Sequence, residues 1–272
     1  MKKYIYSLIV LCSFSLVAKS QDTMRFNLGN KAVTVIARDI EETSDTTSND
    51  SIPSFNSCGA KSDKNNIAHF AGIELSYNGF FNSDMKTDLK DNPFELEASK
   101  SIGVNLNFAE SKLSFGKSNV GLVTGFGFSF NSYGFNKNNI LTTTSDTTMM
   151  IPAADGINFK KNKLNIAYLT IPLMLEFNTS KNESESAYIS VGVEGGVRLY
   201  EKYKQKYSAN GDDVSNKNRD DYNANFLKAD AVVRVGYKSL DLFAKYPLNP
   251  LFEKGKAEEL SAFQIGIVLA DF

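Results

Sequence analysis

From residue 69 onward the chain alternates large apolar residues with polar or small ones. A period of two belongs to strands whose faces meet different surroundings. The stretch YLTIPLMLEF (168–177) shows it plainly. Leu169, Ile171, Leu173, Leu175 and Phe177 fill one phase, and Thr170, Pro172 and Glu176 fall in the other. The pattern predicts eight strands, at 69–80, 101–109, 119–132, 164–178, 187–200, 225–237, 239–247 and 260–271. One phase of each is free of charge and includes Val191, Val193, Val233, Ile265 and Ile267. The opposite phase holds Glu74, Glu176, Glu194, Arg198, Lys228, Asp230, Arg234, Asp241 and Lys245, with many glycines such as Gly103, Gly121, Gly127, Gly192 and Gly236.

Two opposite objects share this alternation: a soluble barrel with the apolar phase inside, and a membrane barrel with it outside. Glycine favours the second. On a watered face it weakens a strand and packs nothing, whereas a narrow eight-stranded lumen needs small residues beside long charged ones. The gaps between segments alternate as well, long at 81–100, 133–163, 201–224 and 248–259 and short between, down to the Lys238-Ser239 turn. Long outer loops and short periplasmic turns are the outer-membrane pattern. Tyr77, Phe80, Phe108, Phe130, Phe177, Tyr200, Tyr237 and Tyr246 recur near strand ends, as interfacial girdles do, although the chain has no Trp. A Lys or Arg on the lipid face at mid-bilayer costs about 2–4 kcal/mol, which accounts for a charge-free phase.

The predicted architecture is therefore all-β, an eight-stranded antiparallel up-and-down transmembrane barrel over 69–272. Leu169, Ile171, Leu173, Leu175, Val191, Val193, Val233, Ile265 and Ile267 are expected to face lipid. Glu74, Glu176, Glu194, Arg198, Lys228, Asp230, Arg234, Asp241 and Lys245 are expected to form a lumen charge network, with Glu176 neutralised by a cation from another strand. Pro172 removes a ladder hydrogen bond and is expected to mark a bulge.

Upstream, Lys2 and Lys3 precede the apolar run Tyr4–Val17, and Ala18 and Ser20 sit at small-residue cleavage positions. Residues 1–20 read as a secretory signal peptide. Residues 21–40 contain TMRFNLGNKAVTVIAR, two short strands around Gly29-Asn30, expected as a periplasmic hairpin. Residues 41–68 are rich in Ser, Thr, Asn and Asp and read as a flexible linker. An even strand count then leaves both chain ends in the periplasm.

Composition narrows the chemistry. The formal charge is −1, and losing Lys2, Lys3 and Lys19 with the leader lowers it to −4. No basic stripe marks a nucleic-acid partner. Cys58 alone follows the leader, so no intramolecular disulfide is expected in the mature chain, and with one histidine, His69, no zinc set is assembled. His69 is expected at the periplasmic edge. The loop ANGDDVSNKNRDDYN (209–223) is acidic but lacks calcium-loop spacing, and GFGF (125–128) is strand alternation rather than a phosphate loop.

The segments HFAGIELSYNGFFN (69–82), NVGLVTGFGFSFNSYGF (119–135), YLTIPLMLEF and KYPLNPLFEKGKAEEL (245–260) resemble the outer-membrane β-barrel proteins common in Bacteroidetes, the PorT-like group. FNLGNKAVTVIARD (26–39) is similar to a leader seen in some members. The resemblance implies the barrel fold and an outer-membrane location, with some members tied to type IX secretion, and carries over no catalytic, cofactor or metal residue. The last strand, QIGIVLADF, resembles the terminal signal read by the barrel-insertion machinery, but Phe272 falls out of phase with Ile265 and Ile267. A bulge near the terminus, or an aromatic at the rim, would accommodate it.

The expected role is a non-enzymatic scaffold, anchor or interaction protein of the outer membrane, accessory to secretion. Its expected partners are membrane lipids, lipopolysaccharide, the insertion machinery and an envelope or secretion-system protein. No cofactor is expected. Two alternatives remain: a hydrolase using lumen carboxylates, with Glu194–Arg198 or Asp230–Arg234 as its site, and a soluble periplasmic barrel binding a small apolar ligand.

Overall fold

The computed structural model describes residues 68–90, 92–115, 119–155, 157–180, 187–209 and 212–271, and the backbone of 23–28 and 31–36. In the N-terminal unit, β1 (Thr23–Leu28) pairs antiparallel with β2 (Lys31–Ile36), Thr23 opposite Ile36. The predicted signal peptide, the Gly29-Asn30 turn, the linker up to residue 67, Cys58 and Phe272 lie outside the described residues.

The second unit is a ring. Its strands are β3 (Gly72–Phe81), β4 (Ile102–Ser114), β5 (Val120–Gly134), β8 (Phe159–Asn178), β9 (Ala187–Ala209), β11 (Leu227–Tyr237), β12 (Leu240–Pro247) and β13 (Ser261–Asp271). Each pairs antiparallel with its neighbour, and β13 returns to β3, so the ring closes on eight strands. Closure gives every strand of the ring a paired neighbour on each side, as a strand in hydrocarbon requires. Connections at one rim span 82–101, 135–158, 210–226 and 248–260, and at the other 115–119, 179–186 and 238–239. Both ends of the barrel, Gly72 and Asp271, pair at the rim of short turns.

The faces sort as charge requires. Ile171, Val193 and Ile267 are 50%, 48% and 41% exposed on the outer wall, while Glu194 and Arg234 are 3% and 2% exposed inside. Outward apolar residues on β9 run from Ile189 to Leu199. That is roughly 33 Å along a strand, or about 25 Å in height at a tilt near 40°.

Bulges shift the register of β4, β9 and β13, and beyond them β4 and β9 run past the ends that the alternation indicates. In β4 the register shifts between Phe108 and Ser111, where Ala109 takes φ 53°. One extra residue exchanges the faces of everything beyond it, so Lys112, in the same numerical phase as Leu106 and Phe108, turns inward and is buried. In β9 the shift follows Val197–Arg198 and skips Leu199, after which Glu201 and Tyr203 point inward. In β13 it skips Leu269, close to the terminus. Pro172 marks no bulge, contrary to expectation: it faces Glu194 in continuous register. On its other side the β5 ladder lacks the two pairs at Gly125 and Phe126 without shifting register, and the Thr124 hydroxyl donates to the Pro172 carbonyl at 2.8 Å.

The long connections are themselves folded. β6 (Asn139–Thr143) pairs with β7 (Thr148–Pro152) between β5 and β8, and β10 (Asp212–Asn218) pairs with the upper half of β9. Inside the wall, glycine makes room where chains approach. A Cβ on Gly192 would lie 2.1 Å from the Leu173 carbonyl oxygen and 2.6 Å from Met174 Cα, both backbone, whereas one on outward Gly195 would meet nothing within 4 Å. Gly192→Ala should lower unfolding free energy by about 1–3 kcal/mol, and Gly195→Ala should change it by no more than about 0.5 kcal/mol. Urea titration of the refolded barrel, followed by circular dichroism, measures both; equal effects would contradict the close approach.

Candidate functional site: the lumen and its outer cap

The lumen is filled in three tiers. Nearest the short-turn rim, Glu176 of β8 is fully buried and meets at 2.8 Å the Nζ of Lys112 from β4, whose stem passes over Gly121 of the intervening β5. It also accepts from Ser190 Oγ at 2.9 Å and from the His69 backbone N–H at 3.2 Å, and the His69 Nδ1 lies 3.1 Å from Oε1. The His69 ring stacks on Tyr188 with centroids 4.0 Å apart. It thus turns into the mouth instead of lying on the membrane edge. Glu110, beside the β4 bulge, accepts the N–H groups of Phe70 at 2.8 Å and Ala71 at 2.7 Å, which seats Phe70 against Val123, Met174 and Val232 as an apolar stopper.

The middle tier is polar. Glu74 of β3 pairs with Arg234 of β11 and accepts from Asn105 and Asn107, each at 2.7 Å. Asn105 also donates to Gln264 at 3.3 Å, and Gln264 donates to Asn131, so the chain of bonds crosses most of the ring. Glu194 of β9 is clamped by Lys245 of β12 at 2.7 and 2.8 Å. Asp230 pairs with Lys228 two residues before it on the same strand. Asp241 is buried, its carboxylate packed with Tyr188 in the space that a side chain at Gly236 would need.

The top tier is apolar. Leu164, Ile166, Tyr168, Tyr133 and Phe80 point inward from the strand tops, Phe80 contrary to its expected place in the interfacial girdle, and pack with Phe94, Leu141, Tyr222, Leu251 and Phe252 from the long connections. Hydrogen bonds tie those connections together. The Tyr203 hydroxyl donates to Asn162 at 2.6 Å and accepts from the Leu141 N–H at 3.0 Å. Asn223 donates to Thr148 at 2.8 Å, and the Thr148 N–H donates to the Lys256 carbonyl at 2.6 Å. Arg198 belongs here and not in the middle tier, pairing with Glu201 and lying 3.5 Å from Asp221. Burial, opposed by Arg198, pushes the Glu201 carboxyl up to about 8.

The partners differ from the two candidate hydrolytic pairs. Glu194 pairs with Lys245 rather than Arg198, and Arg234 with Glu74 rather than Asp230. A void between Tyr168, Lys228, Asp230 and Pro250 measures about 10 Å³, at the lower limit for one water. Among the described residues no group of three His, Cys, Asp or Glu side chains is placed to hold a metal ion. Among the described residues no helix is long and apolar enough to cross a membrane, which says nothing of crossing by strands.

The sequence matches the family model described as the outer membrane protein beta-barrel domain over residues 61–253, more than half the chain. The chain belongs to that family. A search of curated proteins finds no match. Among solved structures, the chain is similar to Ail, the attachment invasion locus protein of Yersinia pestis. Identity is 16% over 74% of this chain and 98% of that one, with a TM-score of 0.28. The same protein in complex with the heparin analogue sucrose octasulfate gives 15% identity, the same coverage and a TM-score of 0.29. The assignment rests on the family model, not on these two likenesses.

Lys112 was not foreseen in the lumen of this outer-membrane barrel, because the apolar alternation of β4 ends at the bulge before reaching it. Asn105, Asn107 and Gln264 fall in the polar phase expected to face inward but, carrying no charge, stood outside the predicted charge network; with Asn131 they supply most of the bonds linking Glu74 to the opposite wall. Lys112→Met leaves Glu176 buried without its nearest ammonium and should cost about 3–5 kcal/mol of stability. Lys112→Met combined with Glu176→Leu should recover at least about half of that loss, since an apolar pair of similar volume replaces both charges. Urea unfolding of the two variants measures the difference; a double variant no more stable than the single would rule out the pairing.

Proposed function

We propose that this protein is a non-enzymatic scaffold of the outer membrane: a sealed, anchored barrel that presents a rigid cap to an envelope partner. The observation that carries this reading is the filling of the lumen. In the lower and middle tiers cations or backbone amides engage its carboxylates except Asp241, which packs against Tyr188, and its mouth is packed with Tyr, Phe and Leu from the loops. Among the described residues such a core offers neither an aqueous path nor a carboxylate beside an open cleft. Function on a scaffold of this kind concentrates on the loops that it holds.

In this reading residues 1–20 direct export, both ends of the barrel are periplasmic, and Leu169, Ile171, Leu173, Leu175, Val191, Val193, Val233, Ile265 and Ile267 meet acyl chains. The partners are outer-membrane lipids, lipopolysaccharide and, during biogenesis, the barrel-insertion machinery. The finer assignment is to the PorT-like proteins of Bacteroidetes, with an accessory part in protein secretion. The sequence resemblance supports that assignment, and the buried loop core supports a docking platform over a channel.

Ser145 and Ser215 are exposed on the β6–β7 and β10 hairpins, and Ser239 lies in the tight turn at the opposite rim. With Cys58→Ser as background, Ser145→Cys and Ser215→Cys should react with a membrane-impermeant maleimide on intact cells. Ser239→Cys should react only after the outer membrane is permeabilised. Label at Ser239→Cys alone on intact cells would invert the topology, and recovery of the chain in the aqueous periplasm would favour the soluble barrel. Cleavage of lipid A or peptides that disappears in Glu194→Gln would favour the hydrolase.

A further inference from the structure

The bulge at Leu199 does more than turn Glu201 inward. It brings Lys202, Lys204 and Lys206 of β9 onto the outer wall, where Lys204 and Lys206 face further lysines. Lys163 of β8 stands directly opposite Lys204, and Lys204 stands opposite Lys217 of β10. Lys161 stands opposite Lys206 in the next row up. On the other side of Lys163 lies Gly134 of β5, and Lys100 packs over it so closely that a Cβ there would come within 2.5 Å of Lys100 Cβ. Lys100, Lys163, Lys204 and Lys217 thus form one line around the barrel, with strands about 4.8 Å apart.

Like charges placed directly opposite in a sheet destabilise it, and here carboxylates relieve little of the strain. Glu97 pairs with Lys100 at 2.6 Å, and Asp213 reaches Lys160 at 2.7 Å and Lys206 at 2.9 Å. Among the described residues no carboxylate pairs with Lys161, Lys163, Lys202, Lys204 or Lys217. Desolvation and the neighbouring Lys161, Lys217, Lys163 and Lys202 hold the Lys204 ammonium below the usual lysine range. A cleft of about 220 Å³ opens beside the line, between Lys100, Ser132, Lys161 and Lys163. The Ser132 hydroxyl is shielded from water and has no hydrogen-bond partner among the described residues.

Height identifies the ligand. The apolar wall ends at the row Phe130–Ala167–Tyr200. The row above it is Ser132–Asn165–Lys202, and the next is Gly134–Lys163–Lys204–Lys217. Two residues advance about 6.6 Å along a strand, or about 5 Å in height at a tilt near 40°. The lysine line therefore stands about 10 Å above the apolar edge, and a lysine stem bent downward reaches the headgroup layer that borders the hydrocarbon.

We propose that the outer wall formed by Lys163, Lys204 and Lys217, with the cleft beside Lys100, binds the phosphate groups of the outer-leaflet glycolipid. The lysines act as point charges on phosphate oxygens, and the lipid anion replaces the missing carboxylates. This rests on the outer-membrane reading above and adds a defined contact to it.

The test uses the full mature chain refolded in zwitterionic micelles and titrated with diphosphorylated lipid A by calorimetry. The triple variant Lys163→Gln/Lys204→Gln/Lys217→Gln should bind at least about tenfold more weakly. A control with three other exposed outer lysines replaced, Lys86→Gln/Lys90→Gln/Lys254→Gln, should stay within about twofold of the native chain. Because the triple variant removes repulsion, it should keep its heat-modifiable gel mobility and melt no lower than the native barrel without lipid. Native affinity in the triple variant, equal loss in the control, or equal binding of dephosphorylated lipid A would each overturn the site. Full competition by inorganic pyrophosphate at the lipid's own concentration would assign the row to a soluble anion and overturn the lipid source. These outcomes are distinct from failure of the membrane reading, which fractionation of the native chain into the aqueous periplasm would show.

Discussion

The structure depends on where charge is permitted. An outer wall of Ile, Leu, Val and Phe tolerates no ionised side chain across its apolar band, so the charges of the spanning strands are driven into a lumen barely wider than the side chains that fill it. There each ion needs a counter-ion from another wall or an immediate neighbour. Glu74 reaches Arg234, Glu194 reaches Lys245, and Glu176 reaches Lys112. Buried pairs of this sort add little net stability over apolar substitutes. Their value lies in register: a one-residue slip of β11 or β12 would carry Arg234 or Lys245 onto the outer wall.

Bulges reconcile that constraint with a continuous chain. A strand that leaves the membrane needs different faces above and below the boundary, and one inserted residue exchanges them at a chosen height. At Ala109 the exchange brings Lys112 in to Glu176; at Leu199 it brings Tyr203 in to the cap and puts three lysines outside. The same device therefore builds the lower tier of the lumen and the basic collar above the apolar band. Glycine supplies the remaining room, at Gly121 beside Lys112, at Gly125 beside Phe70 and at Gly236 beside Tyr188.

Much of this was legible in the chain, and the exceptions have a common cause. Strict alternation such as Leu169–Phe177 or Ile189–Val197 marks a strand and its outer face, and the long-short rhythm of the gaps marks the two rims. What alternation cannot carry is a change of phase. It stops at Phe108 and at Leu199, so Lys112 and the upper half of β9 lay beyond the predicted ends. The inward run Leu164, Ile166, Tyr168 was visible as apolar, but its role as the floor of the cap depends on Phe94, Tyr222 and Phe252, which come from three distant connections. Spacing of four along a strand made Glu194–Arg198 and Asp230–Arg234 look like pairs, but Glu194 takes Lys245 from two strands away, Asp230 takes Lys228 from its own strand, and Arg234 takes Glu74 from β3. Pro172 needed no bulge, because the ladder opens over two residues of β5 and keeps its register.

The central claim is that the charge-free wall touches hydrocarbon. The chain contains no tryptophan, so Val193→Trp places a single reporter midway up that wall, in the row Leu173–Val193–Ala231. In bilayers whose acyl chains carry bromine near the membrane centre, its fluorescence should be strongly quenched and should be insensitive to aqueous iodide. Emission quenched by iodide and untouched by bromine would mean that this wall faces water, and the account would fail.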